Sequence, residues 1–337
     1  MKKTLLFLIL TLVLGLALAA GLALLPYGGP HGPQVEVEIP KGASLKAIAA
    51  KLQQQGLVPH ALAFRALAQA SGKAKSFQSG RYLVEGQPSL WGLVQLLASG
   101  KVQQTSVTLP EGINLNEAFA LLEQKGFPPK PAFGVLARNS VFIASLGLPP
   151  YVTSLEGFLF PETYQFPSEA DEKLILKTLV ATFKQRIPAD YETQAQAVGL
   201  TWYEAVILAS IIEKETSKGF ERPLISSVFH NRLKKKMRLQ TDPTVIYGIP
   251  NYKGNITRAD LVTPHPYNTY VIFGLPPTPI ANPGLDSLLA AVRPDPTPYL
   301  FFVAKGDGTH EFTTNFADHN AAVTRFQRKR TKDYRSH

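Results

Sequence analysis

The sequence predicts an α+β protein: a membrane-spanning helix, then a small strand-and-helix subdomain, then a larger domain of mixed helices and sheet. Three observations support this prediction. The N-terminus is one long apolar run, a strand–helix pattern occurs at residues 37–57 and again at 107–127, and helical and strand patterns alternate after residue 128. With 337 residues, 45% hydrophobic and 18% charged, the chain has enough apolar residues for folded domains with a core.

The first element is the hydrophobic N-terminal segment. Thr4 to Leu25 is a stretch of 22 residues without a charge, and Lys2 and Lys3 precede it. A helix of that length rises about 33 Å, enough to cross a bilayer, whereas the apolar core of a secretory signal has about 7–15 residues. We therefore expect residues 1–25 to be an uncleaved anchor, with signal cleavage near "LALAAG" as the alternative. The two lysines predict a single-pass protein of the inner cell membrane, with a cytoplasmic N-terminus and the remaining domains outside.

A small subdomain follows the anchor. Residues 26–33 are rich in Gly and Pro and predict a linker, and residues 34–104 form the subdomain. It starts with "VEIPKGASLKAIAAKLQQQGL", which aligns with "VTLPEGINLNEAFALLEQKGF" at the start of the last domain. Each copy predicts a strand, a turn and an amphipathic helix ended by a glycine. The first unit resembles LysM modules, which bind the N-acetyl sugars of cell-wall polysaccharide. A repeated scaffold that binds nothing is an equally good interpretation.

The last domain spans residues 105–337 and combines helices with sheet. Amphipathic patterns predict helices in four segments, near Glu172–Gln185, Tyr191–Ala197, Trp202–Thr216 and Pro223–Leu233. The continuous apolar run "YLFFVA" predicts a buried strand at Tyr299–Ala304.

Composition and motif content exclude several kinds of site. The chain has no cysteine and therefore no disulfide or thiolate metal site. Its histidines show no HExxH motif or i, i+4 pairing, and no phosphate-binding Gly-rich loop is present, so we predict neither a metal nor a cofactor. The net charge of +10 is concentrated in "NRLKKKMR" and in the C-terminal "RFQRKRTKDYR". Because no nucleic-acid motif accompanies these segments, the charge favours an anionic membrane or wall polymer over nucleic acid.

Two glutamates at the end of an apolar helix, in "IIEKET", are the most informative carboxylates. At 100° per residue, Glu213 continues the apolar seam of the helix and Glu215 lies about 200° away, so the two cannot form a side-by-side acid pair. We expect enclosure of Glu213 to favour its neutral carboxyl, the form that a general acid needs. The alternative is a buried Glu213 that pairs with Arg222 or Arg232, and spacing alone slightly favours it. We expect Glu215 to belong to the fold.

Four long segments carry a resemblance to a known family. In chain order they are "SLEGFLFPETYQFP", "ILASIIEKETSKGFERPLISSVFHNRLKKKMRLQTDPTVIYG", "TPHPYNTYVIFGLPPTPIANPG" and "YLFFVAKGDGTHEFTTNFADHN". Together they resemble the MltG/YceG-like endolytic murein transglycosylases, and the resemblance covers nearly the whole chain, with residues 105–337 as the catalytic domain. It implies cleavage of the bond between N-acetylmuramic acid and N-acetylglucosamine in nascent glycan strands, without water, to give 1,6-anhydromuramyl ends. It also implies peptidoglycan strands as substrate, peptidoglycan synthases as partners and no nucleic acid.

The resemblance also implies site residues. Ordinary glycosidases use two carboxylates, but here the sugar's own 6-hydroxyl is the nucleophile, so one carboxyl suffices. The family's catalytic glutamate is the first of "EKET", which corresponds to Glu213. For contacts with the glycan we expect polar and aromatic side chains of the same segments: Gln240, Asp242, Tyr247, Asn268, Tyr164 and Glu156.

Two alternatives stay open at this point. Asp242 or Glu156 could serve as a second carboxylate, which would restore an ordinary hydrolytic pair. A membrane-anchored scaffold that binds the cell wall without catalytic activity is the alternative function.

Overall fold

The computed structural model describes residues 2–26 and 34–328. Of the predicted linker, residues 27–33 lie outside the described residues, as does the basic C-terminal segment after residue 328. The helices in the described chain are α1 (Lys2–Leu24), α2 (Leu45–Gln54), α3 (Ala61–Ala70), α4 (Leu90–Ser99), α5 (Leu115–Gln124), α6 (Lys130–Leu136), α7 (Ser140–Ser145), α8 (Glu172–Arg186), α9 (Tyr191–Ala197), α10 (Trp202–Glu215), α11 (Arg222–Lys234), α12 (Asp242–Gly248), α13 (Arg258–Val262), α14 (Leu285–Val292) and α15 (Phe316–Val323).

The strands form small two-stranded sheets, so the fold is α+β with helix predominating. They are β1 (Gln34–Ile39), β2 (Gly80–Glu85), β3 (Gln104–Thr108), β4 (Thr163–Pro167), β5 (Phe301–Ala304) and β6 (His310–Thr313). They pair as β1–β2, β3–β4 and β5–β6. The chain divides into two compact units, the first comprising Met1–Ser106 and Gln165–Ala170 and the second Val107–Tyr164 and Asp171–His337.

The first unit is built on the antiparallel pair β1–β2, in which Val37 lies opposite Tyr82. Alternate residues of β2 are buried, as expected for a strand with one face on a core. Helices α2 and α4 start at serine N-caps, because the hydroxyls of Ser44 and Ser89 accept backbone N–H groups of the first turn. Their apolar faces and Phe64 of α3 cover the sheet. The first repeat thus folds as a strand followed by a helix, and its LysM resemblance stays a prediction.

The segment predicted as an anchor is helical over Lys2–Leu24. Among the described residues, no single helix satisfies both the length and the hydropathy of a membrane span, and only α9 together with α10, bent by 84°, satisfies them as a pair. The anchor and its topology therefore stay predictions.

The second unit is organised around α10. A capping box fixes its start, because Thr201 and Glu204 each accept a backbone N–H of the other. Its residues from Ala205 to Ile212 are all buried, and α11 and α14 pack against it. Glu213 and Glu215 therefore lie in the last turn of α10, directly after a buried and mostly apolar segment.

The β5–β6 hairpin differs from the prediction in one respect. Phe301 lies opposite Thr313, and Ala304 lies opposite His310. The apolar run predicts a fully buried strand, but Phe301 and Phe302 are only half-buried. The reason is that both rings line a cavity, described below.

Candidate active site

The two glutamates of α10 have different partners, as their divergence on the helix predicts. The helix ends at Glu215, and Thr216 is extended, with φ −149° and ψ 141°. Glu213 contacts residues of α11 and of the segment before α14, whereas Glu215 contacts the segment before α12. Each carboxylate therefore has to be judged by its own surroundings.

Glu213 lies in a buried ion pair. Arg222 Nη2 donates to its Oε1 at 3.2 Å, and the backbone N of Gly284 donates to its Oε2 at 3.0 Å. The side chains of Arg222 and Glu213 are only 8% and 6% exposed. A guanidinium and a backbone N–H both stabilise the carboxylate rather than the neutral acid. The geometry therefore matches the alternative from the sequence, a buried Glu213 that pairs with Arg222.

Glu215, unlike Glu213, is not paired with a basic side chain among the described residues. No described residue forms a salt bridge with it, and its hydrogen-bond partner is the hydroxyl of Thr241, which donates to Oε1. Burial raises the pKa of Glu215 to about 7, the nearby charge of Asp242 also raises it, and the Thr241 hydrogen bond and Arg232 partly oppose the shift. A carboxyl that is about half protonated at neutral pH can both donate and accept a proton during a reaction. Glu215 therefore has the properties that the sequence analysis assigned to Glu213.

Glu215 borders a cavity of about 510 Å³ in the second unit. The lining includes polar residues around the start of α12 and aromatic residues from the β5–β6 hairpin and α15. Among them are Gln240, Thr241, Asp242, Tyr270, Phe301, Phe302, Phe316 and His319. Concave surfaces with aromatic faces and a few directed polar groups are typical of ligand sites. Glu215, which can transfer a proton, and aromatic faces on which a sugar ring can lie therefore border the same cavity.

The polar side of the cavity, formed by Gln240, Thr241 and Asp242, is held in place by hydrogen bonds. Buried Arg232 donates from Nη1 to the carbonyl of Leu239 at 2.9 Å and to Oε1 of Gln240 at 3.2 Å. Gln240 has a positive φ of 51°, a conformation uncommon outside glycine, and its backbone N donates to the carbonyl of Thr269 at 3.1 Å. Tyr270 donates its hydroxyl to Asp242 Oδ1 at 2.7 Å. Gln240 and Asp242, both predicted from the sequence, are thereby held beside Glu215.

Glu156 and Tyr247 meet each other, but the cavity beside Glu215 does not include them. Tyr247 donates its hydroxyl to Glu156 at 2.9 Å, and the backbone N of Leu115 donates to both carboxylate oxygens at 3.0 and 3.2 Å. Glu156 is 1% exposed, and burial raises its pKa to about 7. Glu156 and Tyr247 were predicted to contact substrate, but in the structure they contact each other. Through this bond and the bond to Leu115 they connect α12 to the start of α5. Glu156 is also not a second carboxylate of this cavity.

Asn268 and Tyr164 have framework roles too. Buried Asn268 donates from Nδ2 to the carbonyls of Asp260 and Thr263 at 3.0 and 2.7 Å, and its Oδ1 accepts from the backbone N of Tyr270. It therefore shapes the loop that presents Tyr270. Tyr164 is buried and donates its hydroxyl to the carbonyl of Phe160 at 2.6 Å. Neither side chain lies among the residues that border the cavity.

Sequence reasoning missed Glu215 as the proton-transfer candidate. The helical period shows that the two glutamates diverge, but it carries no information about which side meets Arg222 and which meets a cavity. Sequence reasoning also missed the aromatic residues of the cavity wall, although "YLFFVA" followed by "HEF" was a usable signal, because aromatic side chains commonly line ligand pockets.

Comparisons with known proteins identify the relatives of this chain. A model of the YceG-like family matches residues 37–325. A Bacillus subtilis (strain 168) protein named endolytic murein transglycosylase is 35% identical over 332 residues, 94% of this chain and 91% of that protein. A Streptococcus pneumoniae (strain D39) protein of the same name is 28% identical over 335 residues, and the match spans 89% of this chain and 60% of that protein. The crystal structure of a yceG-like protein from Listeria monocytogenes superposes with a TM-score of 0.59 and 30% identity, over 86% of this chain and 98% of that one.

Proposed function

This chain belongs to the YceG-like family, and we propose that it is an endolytic murein transglycosylase with Glu215 as its catalytic acid and base. The reaction is cleavage of the bond between N-acetylmuramic acid and N-acetylglucosamine inside peptidoglycan strands, with formation of a 1,6-anhydromuramyl end. The relatives named for this activity support the reaction class. The single observation that carries the assignment of the residue is the Glu215 carboxyl, with a pKa of about 7, at the wall of an aromatic cavity.

The proton of Glu215 starts and ends the reaction. Protonated Glu215 donates its proton to the glycosidic oxygen, and the bond from the muramyl C1 to that oxygen breaks as positive charge develops on the sugar ring. The resulting Glu215 carboxylate then accepts the proton of the 6-hydroxyl while O6 bonds to C1. The departing chain keeps the first proton as a 4-hydroxyl, and Glu215 regains one. No water is consumed, and a single carboxyl serves both steps.

The neighbours of Glu215 serve this cycle. Thr241 orients the carboxyl by donating to one of its oxygens and leaves the other for the substrate. Asp242 places a negative charge close to where positive charge develops on the sugar, and Tyr270 fixes the orientation of that carboxylate. Gln240 offers an exposed amide to the hydroxyl or N-acetyl groups of the glycan. The aromatic wall supplies apolar faces for the sugar rings.

Glu213 supports the site without taking part in proton transfer. Its pair with Arg222 joins the end of α10 to the start of α11, and its bond to Gly284 N joins α10 to the start of α14. These contacts hold the turn that carries Glu215.

The cellular setting is part of the proposal. The N-terminal helix, apolar after Lys2 and Lys3, anchors the chain in the cell membrane with its N-terminus in the cytoplasm, which puts the chain after Leu25 on the side where nascent glycan strands emerge. Residues 34–104 then act as a wall-facing LysM-like module, and synthases that polymerise the strands are the expected partners.

Digestion of purified peptidoglycan by the full-length chain tests the activity. Mass spectrometry of the products should show internal cleavage with 1,6-anhydromuramyl ends. Reducing ends would instead identify a hydrolase. Glycan binding by the folded protein without any cleavage would favour a wall-binding scaffold.

A further inference from the structure

Glu221 is a buried carboxylate outside the proton-transfer machinery. It is 2% exposed and lies in the short turn that connects α10 to α11. One oxygen accepts the backbone N–H of His310 at 2.8 Å, and the other lies 2.8 Å from His310 Nδ1. Among the described residues, His310 is the basic side chain in contact with Glu221. Burying a carboxylate costs free energy unless hydrogen bonds or charges compensate. The contacts with His310 supply that compensation for Glu221.

The contact fixes the orientation of the imidazole. A carboxylate only accepts hydrogen bonds, so Nδ1 of His310 carries a proton and donates it to Glu221. Nε2 has no hydrogen bond to any residue in the described part of the chain. The ring also meets Phe302 edge to face, with centroids 5.3 Å apart. His310 is thus held from two sides, and one nitrogen is left over.

His310 belongs to the wall of the cavity that contains Glu215. Glu221 also accepts a hydrogen bond from the hydroxyl of Thr216, the residue that follows Glu215, at 3.3 Å. One buried carboxylate therefore connects the end of α10 with the first residue of β6. An orienting carboxylate, an oriented imidazole and a remaining nitrogen at a ligand cavity are the arrangement by which proteins present a histidine to a bound molecule.

We propose that His310 is a substrate-contacting residue whose Nε2 hydrogen-bonds a hydroxyl or N-acetyl group of an N-acetylhexosamine glycan, and that Glu221 is its positioning residue. This inference builds on the proposed function, because it names a contact for the same substrate in the same cavity. Phe301, Phe302 and Phe316 provide the apolar part of this wall, and His310 provides its directional hydrogen bond.

Two substitutions separate the ligand contact from the internal contact. In His310→Asn, the amide nitrogen can replace Nδ1 as donor to Glu221, and the position of Nε2 is empty. In His310→Gln, the amide reaches the position of Nε2, and the bond from Nδ1 is lost. His60→Asn, at an exposed position in the first unit, is the matched control.

The probe is the tetramer of N-acetylglucosamine, titrated by calorimetry into full-length protein that carries Glu215→Gln to prevent turnover. We expect His310→Asn to weaken binding about tenfold, the effect of one lost hydrogen bond, with an unchanged unfolding midpoint. His310→Gln should keep most of the affinity, and His60→Asn should keep all of it. Binding by His310→Asn that equals the parent would overturn the inference.

Nuclear magnetic resonance gives a second test that needs no substitution at His310. In protein with ¹⁵N-labelled histidine, the Nε2 resonance of His310 should shift on addition of the tetramer. An unmoved resonance at saturating tetramer would also overturn the inference.

Failure of this inference can be told from failure of the proposed function. If the parent binds the tetramer and the wild type produces anhydro ends, but the His310 readouts do not change, only the role of His310 is refuted. If the wild type neither binds the tetramer nor cleaves peptidoglycan, the proposed function fails and the inference fails with it.

Discussion

Substitution of Arg222 by methionine should destabilise the second unit by about 3–5 kcal/mol. Arg222 pairs with three carboxylates, but Asp286 and Glu111 are 71% and 51% exposed, and such pairs contribute only about 0–1 kcal/mol each. The pair with Glu213 is different, because both side chains are at most 8% exposed and their atoms are 3.2 Å apart. Removal of one partner of a buried pair leaves an uncompensated charge, which costs about 3–5 kcal/mol.

Urea unfolding of the full-length chain measures this effect, and a double-mutant cycle isolates its cause. Combining Arg222→Met with Glu213→Gln removes the stranded charge, so the double variant should be more stable than Arg222→Met alone. Arg186→Met is the matched control, because its pair with Glu162 is 2.6 Å long but 51% and 35% exposed. If Arg222→Met costs no more than Arg186→Met, Glu213 is not held in a buried ion pair, and the structural role assigned to it is refuted.

Three further predictions concern carboxyls with raised pKa values. Because Glu215 must be protonated to start the reaction and its pKa is about 7, kcat should fall about tenfold per pH unit above neutrality; a pH–rate profile that rises there would contradict this. Thr241→Val removes a hydrogen bond that lowers the pKa of Glu215, so the alkaline limb of that profile should move to higher pH, and an unmoved limb would exclude the contact. For Glu156, burial raises the pKa from 4.5 to about 7, so the folded state binds the proton more tightly than the unfolded state. The proton on Glu156 therefore adds about 3 kcal/mol to the free energy of unfolding below about pH 4.5, and this contribution is lost as pH rises through 7. Urea unfolding at pH 5 and pH 8 should show this pH dependence in the wild type and not in Glu156→Gln. An equal pH dependence in both proteins would refute the prediction.

The sequence was sufficient where the governing interactions are local. The divergence of Glu213 and Glu215 follows from the helical period alone, and the strand and helix of the first repeat follow from its hydrophobic pattern and the glycine after the helix. The choice between the two glutamates was different, because it depends on residues far along the chain. Arg222 and Gly284 approach one side of α10 and Thr241 approaches the other, and no helical pattern encodes that arrangement.

Two residues of one sequence motif, Asp242 and Tyr247, also have different surroundings in the structure. Asp242 and Tyr247 stand in one short segment, yet they begin and nearly end the same helix, α12. Asp242 therefore borders the cavity beside Glu215, and Tyr247 reaches Glu156. A sequence motif predicts that its residues lie in the same domain. Which way each side chain points depends on its position along the helix, and that requires the helix boundaries.

The comparison of Glu215→Gln with Glu213→Gln tests the central assignment most directly. Each purified variant is incubated with peptidoglycan, and anhydromuramyl ends are counted by mass spectrometry per amount of folded protein. Glu215→Gln should lose about 100- to 10,000-fold in rate, the range for loss of a general acid–base group, with its fold intact. Glu213→Gln should unfold more easily but cut within about tenfold of the wild type when folded, since its loss is one of support. Full activity in folded Glu215→Gln, together with an inactive and stable Glu213→Gln, would contradict the account and return the catalytic role to Glu213.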